Sequence, residues 1–324
     1  MSSMTEQHQP LLQVSGLTVK LRGFHTAALV VDDFSLILER GESLGLAGES
    51  GCGKTTAALA LMRLLSPGLE LTRGSVRISG EEVLDLDEQS FDDVRWRRVA
   101  YVFQGAMNAL NPVITVGDQI VEAIHRDRTQ DMARERSREL LESVGIDGHR
   151  AGAYPHQFSG GMRQRAMIAM ALAANPEIII ADEPTTALDV VVQAEILDLL
   201  IRLQKERGLT TIMISHDLAA IASTCDKVAV MYGGRIIEIG AVEKVLRQPC
   251  HPYTRALVMA APQSHQDFRK ISPIPGTPPR PDERGSGCAF SPRCPFARDI
   301  CRAEQPPLRM IGESSVACHL VEEL

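Results

Sequence analysis

A chain of 324 residues is too long for one average domain and suits one large α/β domain with an appendage, or two domains. Hydrophobic residues at 44%, charged residues at 23% and a net charge of −7 are ordinary globular values, and they disfavour nucleic-acid binding as the main function. No apolar run reaches the roughly 18 residues that argue for a membrane span, and seven cysteines, an odd number, argue for thiols or metal ligands over a disulfide framework. The opening stretch from Met1 to Pro10 lacks the basic-then-apolar pattern of a signal peptide, so the expected compartment is the cytoplasm.

Residues 11–47 alternate apolar and polar positions through Val14, Leu17, Val19 and Leu21, then Val30, Phe34, Leu36 and Leu38. The pattern predicts two or three antiparallel strands that lead into a glycine-rich loop. That loop, Gly48-Glu49-Ser50-Gly51-Cys52-Gly53-Lys54-Thr55, fits the phosphate-loop pattern G-x-x-x-x-G-K-[ST] at every fixed position, with an apolar strand before it and a helix from Thr56 after it. Gly74–Gly80 and Val99–Phe103 read as further strands, the second ending on Gln104. From Thr115 to Gly145 the period turns helical, with Met132, Ala133, Leu140, Leu141 and Val144 on one face and Gly145 at a C-cap. A helix from the Ser159-Gly160-Gly161-Met162 turn to Ala174 follows, then a strand of three isoleucines that ends on Asp182-Glu183. Residues 192–203 are an amphipathic helix stopped by Gly208. Thr210–Ile214 is a buried strand with Ser215-His216-Asp217 at its end, and Val228–Tyr232 with Arg235–Ile239 form a hairpin on Gly233-Gly234. Strands alternating with helices imply a mainly parallel sheet with active residues at the strands' C-terminal ends. Five prolines between Ile271 and Arg284 make an extended linker, and four of the seven cysteines lie beyond it.

A phosphate loop uses its glycines to converge backbone N–H groups and a helix N-terminus on an anion. Lys54 then reaches the β- and γ-phosphates, and the Thr55 hydroxyl serves Mg2+. The alternative is a glycine-rich turn that binds nothing, which five fixed positions and both flanks speak against. Asp182 and Glu183 fit the second requirement of such an ATPase, a carboxylate for the Mg2+ shell and one to polarise the attacking water. Read alone, they would equally be a pair capping a buried strand.

Phe158-Ser159-Gly160-Gly161-Met162 resembles the signature motif of the ATP-binding cassette (ABC) family. The resemblance implies an α/β fold: a RecA-like phosphate-loop NTPase core with an antiparallel β subdomain and a helical signature subdomain. It further implies that Gln104 is the Q-loop glutamine, Asp189 the D-loop aspartate and His216 the switch histidine. ATP then meets Gly48 through Thr56, Gln104, Asp182, Glu183 and His216, with Mg2+ on Thr55, Gln104 and Asp182. Glu183, His216 and Gln104 form the catalytic set, while Ser159, Gly160, Gly161 and Met162 face a partner subunit's ATP. The cassette is placed at 11–260, with a helical insertion at about 110–165. A C-terminal domain at 261–324 follows.

Leu110-Asn111-Pro112, the run from Ala181 to Val190 and His251-Pro252-Tyr253-Thr254-Arg255-Ala256-Leu257 resemble the oligopeptide, dipeptide and nickel permease ATPases. That branch implies uptake of di- or oligopeptides or a related solute. It also implies two membrane-spanning permease subunits, contacted through Met107–Pro112, and an indirect extracytoplasmic binding protein. Met162 and Thr185-Thr186 resemble one of two unlike ATPases, so a heterodimer is expected. The chain departs from the family twice: the adenine-stacking aromatic aligns with Leu21, leaving Phe24 to substitute, and Gly105-Ala106 replaces the usual Asp-Pro. Cys52 fills a variable loop position and is expected to have no redox role. A cassette acting on DNA or ribosomes would share these motifs but carries two cassettes or long insertions, and a small-molecule kinase has no use for the signature.

Cys288, Cys294, Cys301 and Cys318 are spaced C-x5-C-x6-C-x16-C. A tail of about 40 residues with few large apolar groups needs a staple, and the spacing leaves Zn2+, a [4Fe–4S] cluster or free thiols open. Gly287–Pro295 resembles the C-terminal domain of the peptide-importer ATPases, which implies [4Fe–4S], with Zn2+ as the alternative, in a small irregular domain.

Overall fold

The computed structural model describes residues 9–23, 28–105, 109–124, 129–261 and 274–323. The chain forms two compact units: one runs up to Phe91 and resumes at Asp226, and the other is Asp92–Cys225.

In the first unit β1 (Leu12–Leu21) and β2 (Leu29–Leu38) pair antiparallel, with Val14 opposite Leu36 and Leu17 opposite Phe34. Their alternation buries Leu12, Val14, Leu17 and Val19 with Val31, Phe34, Leu36 and Leu38. β4 (Leu69–Ile78) takes the other edge of β1, and β5 (Glu81–Glu82) completes the order β2-β1-β4-β5. β4 begins at Leu69, ahead of the predicted Gly74, because Leu69 and Leu71 continue the ladder opposite Leu21 and Val19.

Of the two or three antiparallel strands expected over 11–47, two form, and β3 (Ser43–Ala47) is not a third. It pairs parallel with β9 (Lys227–Tyr232), because it feeds helix α1 (Lys54–Leu61), and a strand that turns into a helical crossover belongs to a parallel ladder. β9 forms the expected hairpin with β10 (Arg235–Ala241), its turn made by Gly233 and Gly234, both at positive φ. Helices α8 (Val242–Arg247) and α9 (Pro252–Ala260) follow. The proline-rich segment 274–284 holds only a short 3-10 turn at Pro281–Glu283.

The tail contains α10 (Asp299–Ala303), β11 (Arg309–Ile311) and β12 (Ser314–Val316). β12 lies antiparallel to β10, with Glu238 opposite Val316, so the tail extends the sheet of β9 and β3. Phe290 packs edge-on against Tyr232 and Tyr253, with ring centroids 5.2 and 5.4 Å away. The expectation that the tail lacks enough surface to hold itself is met by a ladder and an aromatic contact drawn from its own unit.

In the second unit β6 (Val99–Val102), β7 (Ile178–Asp182) and β8 (Thr210–Ile214) form a parallel run in which Val99 faces Ile178 and Ile180 faces Ile212. Helix α2 (Glu88–Asp93) continues into a π turn at Val94–Arg98 before β6. The helical stretch is two helices, α3 (Val116–Ala123) and α4 (Gln130–Ser143), capped by Thr115 and Thr129. Gly145, at positive φ, ends α4 as predicted: its N–H donates to Glu142 O and that of Ile146 to Leu141 O. Leu140, Leu141 and Val144 are fully buried, a burial that stabilises by about 1.5–3 kcal/mol per side chain. Met132, placed on the same face by period, is exposed because it sits in the first turn, beside its cap. α5 (Gly160–Ala171), α6 (Val190–Arg207) and α7 (Leu218–Thr224) complete this unit, with Gly208 at positive φ closing α6.

Candidate active site

The first unit carries the phosphate loop between β3 and α1. Gly48 has φ 144°, and a Cβ there would lie 2.4 Å from Met231 O, so only glycine lets the loop leave β3 beside β9. Gly53, also left-handed, caps α1, whose N-terminus faces the loop. Lys54 is buried, and its ammonium donates to Gly48 O at 2.7 Å, to Glu49 O at 3.1 Å and to Cys52 Sγ at 3.6 Å. The positive charge is thus centred on the loop's own carbonyls. Ser50, Gly51 and Thr55 are exposed, and Thr56 is half-buried. Cys52 is buried, and that burial raises its thiol pKa against the opposing pull of Lys54, which keeps it protonated.

The second unit gathers three side chains around Glu183, just past β7. The Glu183 carboxylate accepts from Gln104 Nε2 at 2.7 Å and from Thr186 Oγ1 at 2.8 Å, and lies 3.3 Å from His216 Nδ1. Glu183 has φ 46°, a strained conformation for a side-chain-bearing residue, and its N–H is tied to Ile214 O at 2.9 Å. The carboxylate is therefore fixed rather than free to rotate away. Asp182, buried at the end of β7, accepts the Tyr101 hydroxyl at 2.8 Å, and burial followed by the Asp182 charge raises the Tyr101 pKa. A carboxylate held by an amide, a hydroxyl and an imidazole can take a proton from a water molecule, with His216 placed to share the charge.

The remaining predicted positions sit at helix starts in this unit. Ser159 caps α5 by accepting from Met162 N, and Gly160 and Gly161 form its first turn. Asp189 caps α6 by accepting from Val192 N at 3.0 Å. Ala106, Met107 and Asn108 lie outside the described residues, as does Phe24. Of the expected contact surface, Leu110 is buried and Asn111 and Pro112 are exposed.

The four C-terminal cysteines line one small cavity together with His251, Pro252, Phe290 and His319. Burial, reinforced by the neighbouring Cys318, Cys301 and Cys294, pushes the Cys288 thiol up to about 11. Among the described residues no group of three or more His, Cys, Asp or Glu is arranged to hold a metal ion. The tail thus brings the four thiols to one cavity, and β12 and Phe290 also tie it to its own unit.

Four residues beside these motifs escaped the sequence reading. Tyr101 and Thr186 hold Asp182 and Glu183, and both lie within motif segments, which was the available signal. Tyr253 accepts the Glu49 N–H at 2.9 Å, and Arg293 binds the Glu49 carboxylate at 2.7 and 3.1 Å. Their sequence separation from the loop leaves no local pattern to find them by.

Comparison with known proteins matches this geometry. The ABC transporter family profile matches residues 31–186, and that of the oligopeptide/dipeptide transporter C-terminal region matches residues 237–301. A putative peptide import ATP-binding protein of Brucella abortus is 43% identical over 321 residues, covering 94% of this chain and 95% of that protein. A putative peptide import ATP-binding protein of Brucella melitensis is 43% identical over 313 residues, covering 95% and 94%. Among solved structures, a dimeric ATP-binding cassette in a post-hydrolysis state bound to ADP and Pi superposes with a TM-score of 0.63 at 27% identity, covering 71% of this chain and 98% of that one. A cassette from Clostridium perfringens that is part of an ABC transporter complex gives 0.65 at 27% identity, covering 74% and 92%. With its phosphate loop, its fixed glutamate and relatives alike over nearly the whole chain, this protein belongs to the ABC transporter family as an ATPase that carries the oligopeptide/dipeptide transporter C-terminal region.

Proposed function

We propose that this chain is the ATP-hydrolysing subunit of an importer for di- or oligopeptides, attached peripherally to the cytoplasmic face of the membrane through two permease subunits. The observation that carries the hydrolytic assignment is the Glu183 carboxylate, fixed at once by Gln104, Thr186 and His216. The peptide cargo is supported by the C-terminal region match and the names of the Brucella relatives. Among the described residues no helix is long and apolar enough to cross a membrane, which agrees with attachment through a partner. An apolar groove lined by Trp96, Phe103, Ala123, Met167 and Met170 is a suitable surface for a permease helix.

In this reading, 11–260 is the cassette and 261–324 the C-terminal domain. Lys54 and the N-terminus of α1 bind the phosphates, Glu183 takes the proton of the attacking water, and His216 senses the γ-phosphate. Thr55, Gln104 and Asp182 carry the hard oxygen donors that suit Mg2+ and are the residues that would hold it; when bound it would neutralise phosphate charge. Ser159 to Met162 and Asp189 serve the ATP of a facing subunit, for which we favour a second, unlike ATPase. The chain alone is then expected to be monomeric by light scattering and slow in ATP hydrolysis, gaining activity on addition of the second ATPase and the permease. Full activity as a homodimer without partners would overturn the heterodimer and leave the cassette standing.

Cys288, Cys294, Cys301 and Cys318 share one cavity and offer the sulfur donors that a [4Fe–4S] cluster takes. Zn2+ takes the same donors and is the alternative, and the cluster is favoured on the resemblance of Gly287–Pro295 alone. No step of hydrolysis depends on it. Anaerobically purified protein is expected to absorb near 400 nm and contain about four irons per chain, both lost in Cys294→Ser. A colourless protein with one zinc would reject iron.

A further inference from the structure

Arg293 is a buried cation between two cysteines of the tail, far from the phosphate loop in sequence but in contact with it. Its side chain is 5% exposed. All three guanidinium nitrogens are engaged. Nη1 donates to Glu49 Oε2 at 2.7 Å and to the Tyr232 hydroxyl at 3.1 Å. Nη2 donates to Glu49 Oε1 at 3.1 Å and to Ile274 O at 3.3 Å, and Nε donates to Pro275 O at 2.7 Å. The guanidinium therefore has a bidentate carboxylate partner on one side and the end of the proline-rich linker on the other. Lysine has no planar fork with which to reproduce this.

Glu49 is the first variable residue of the phosphate loop, and both of its polar ends are taken from outside the loop. Its carboxylate goes to Arg293 and its N–H to the Tyr253 hydroxyl. Gly48 and Gly51, on either side, are at positive φ, where glycine brings conformational freedom and no side-chain anchor. A loop of this composition needs an external fixture to present its N–H groups to an anion without an ordering cost. Glu49 also puts a negative charge next to the place of a polyphosphate, and a guanidinium in bidentate contact neutralises it.

We propose that Arg293 is a positioning residue for nucleotide binding: through Glu49 it holds the phosphate loop in its anion-binding shape and cancels a carboxylate that would otherwise repel ATP. This rests on the ATP-binding reading of the loop. The C-terminal segment is on this account part of the nucleotide site's support, and any partner or modification that lifts the segment off the cassette would weaken ATP binding.

The two contributions predict an unequal pattern. Arg293→Gln leaves an unpaired carboxylate in the loop and is expected to raise the ATP Kd and KM about 30-fold, whereas Glu49→Gln removes the charge along with the tether and raises them only about fivefold. The double variant should return to the Glu49→Gln level, binding ATP more tightly than Arg293→Gln alone. In each, kcat of the assembled complex at saturating ATP should stay within about twofold. Calorimetric titration of the full chain with ATP and steady-state turnover of the reconstituted complex supply these values, and nucleotide-free melting curves report folding. Additive losses in the double variant, an unchanged KM in Arg293→Gln, or a loss confined to kcat would each overturn the proposal. If Arg293→Gln does not fold, Glu49→Gln decides, and an unaltered ATP Kd in it is the overturning result. A wild-type chain that binds no ATP would instead refute the reading of the loop itself.

Discussion

Glu183→Gln is expected to lower steady-state ATP turnover by about 100- to 10,000-fold, the range of a lost general base, while ATP binding survives. The substitution is isosteric, and the site can absorb it. The new amide oxygen can accept from Gln104 and Thr186 where the carboxylate did, and the amide nitrogen can donate to His216 Nδ1. What is lost is the basicity that takes a proton from water. Nucleotide should therefore remain bound and hold the cassette pair closed, visible as ATP-dependent association with the second ATPase in size-exclusion chromatography. Lys54→Ala fails at the other end. It removes an ammonium from beneath the loop, taking the donor from Gly48 O and leaving Glu49 O only the Cys52 N–H at 3.2 Å. Charge-assisted contacts of this kind contribute about 1.5–3 kcal/mol, so the ATP Kd should rise roughly 10- to 100-fold. Normal turnover in Glu183→Gln would remove that residue from its assigned role, and undiminished ATP affinity in Lys54→Ala would do the same for the loop.

The order of strands and helices was legible because it is written in local periods. The alternation of β1 and β2, the isoleucines of β7 and the glycine closing α4 each act within a few residues of where they stand. The direction of β3 was not legible because its five residues are buried on both faces, and a continuous apolar run carries no sign of which strand it will join. The site divides in the same way. Lys54, Asp182, Glu183 and His216 follow from motifs, since a loop or strand end fixes each side chain by its own backbone. Tyr101 on Asp182, Tyr253 on the Glu49 N–H and Arg293 on the Glu49 carboxylate are choices made by tertiary packing. β11 and β12 were missed for a related reason. Three-residue strands have no period to detect, and β12 is a strand only because β10 offers it an edge.

The signature segment yields the second large effect. Gly161 is buried in the first turn of α5, and a Cβ built on it would lie 2.5 Å from Val192 Cγ1 of α6. That is a full overlap with a β-branched side chain that has little freedom to turn aside in a helix. Gly161→Ala must therefore push the start of α5 away from α6, an overpacking that typically costs about 1–3 kcal/mol. The displaced part is the helix N-terminus that Ser159 caps, where N–H groups and the dipole would meet a facing subunit's γ-phosphate. The chain's own phosphate loop is untouched, so ATP binding to the isolated protein should stay within about twofold while turnover of the assembled transporter falls about 100-fold, the scale for removing one transition-state donor. Val192→Ala combined with Gly161→Ala removes the obstructing methyls and should restore much of the turnover. Full activity in Gly161→Ala would show that the N-terminus of α5 need not hold its position, and failure of the double variant to recover would locate the damage elsewhere than at Val192.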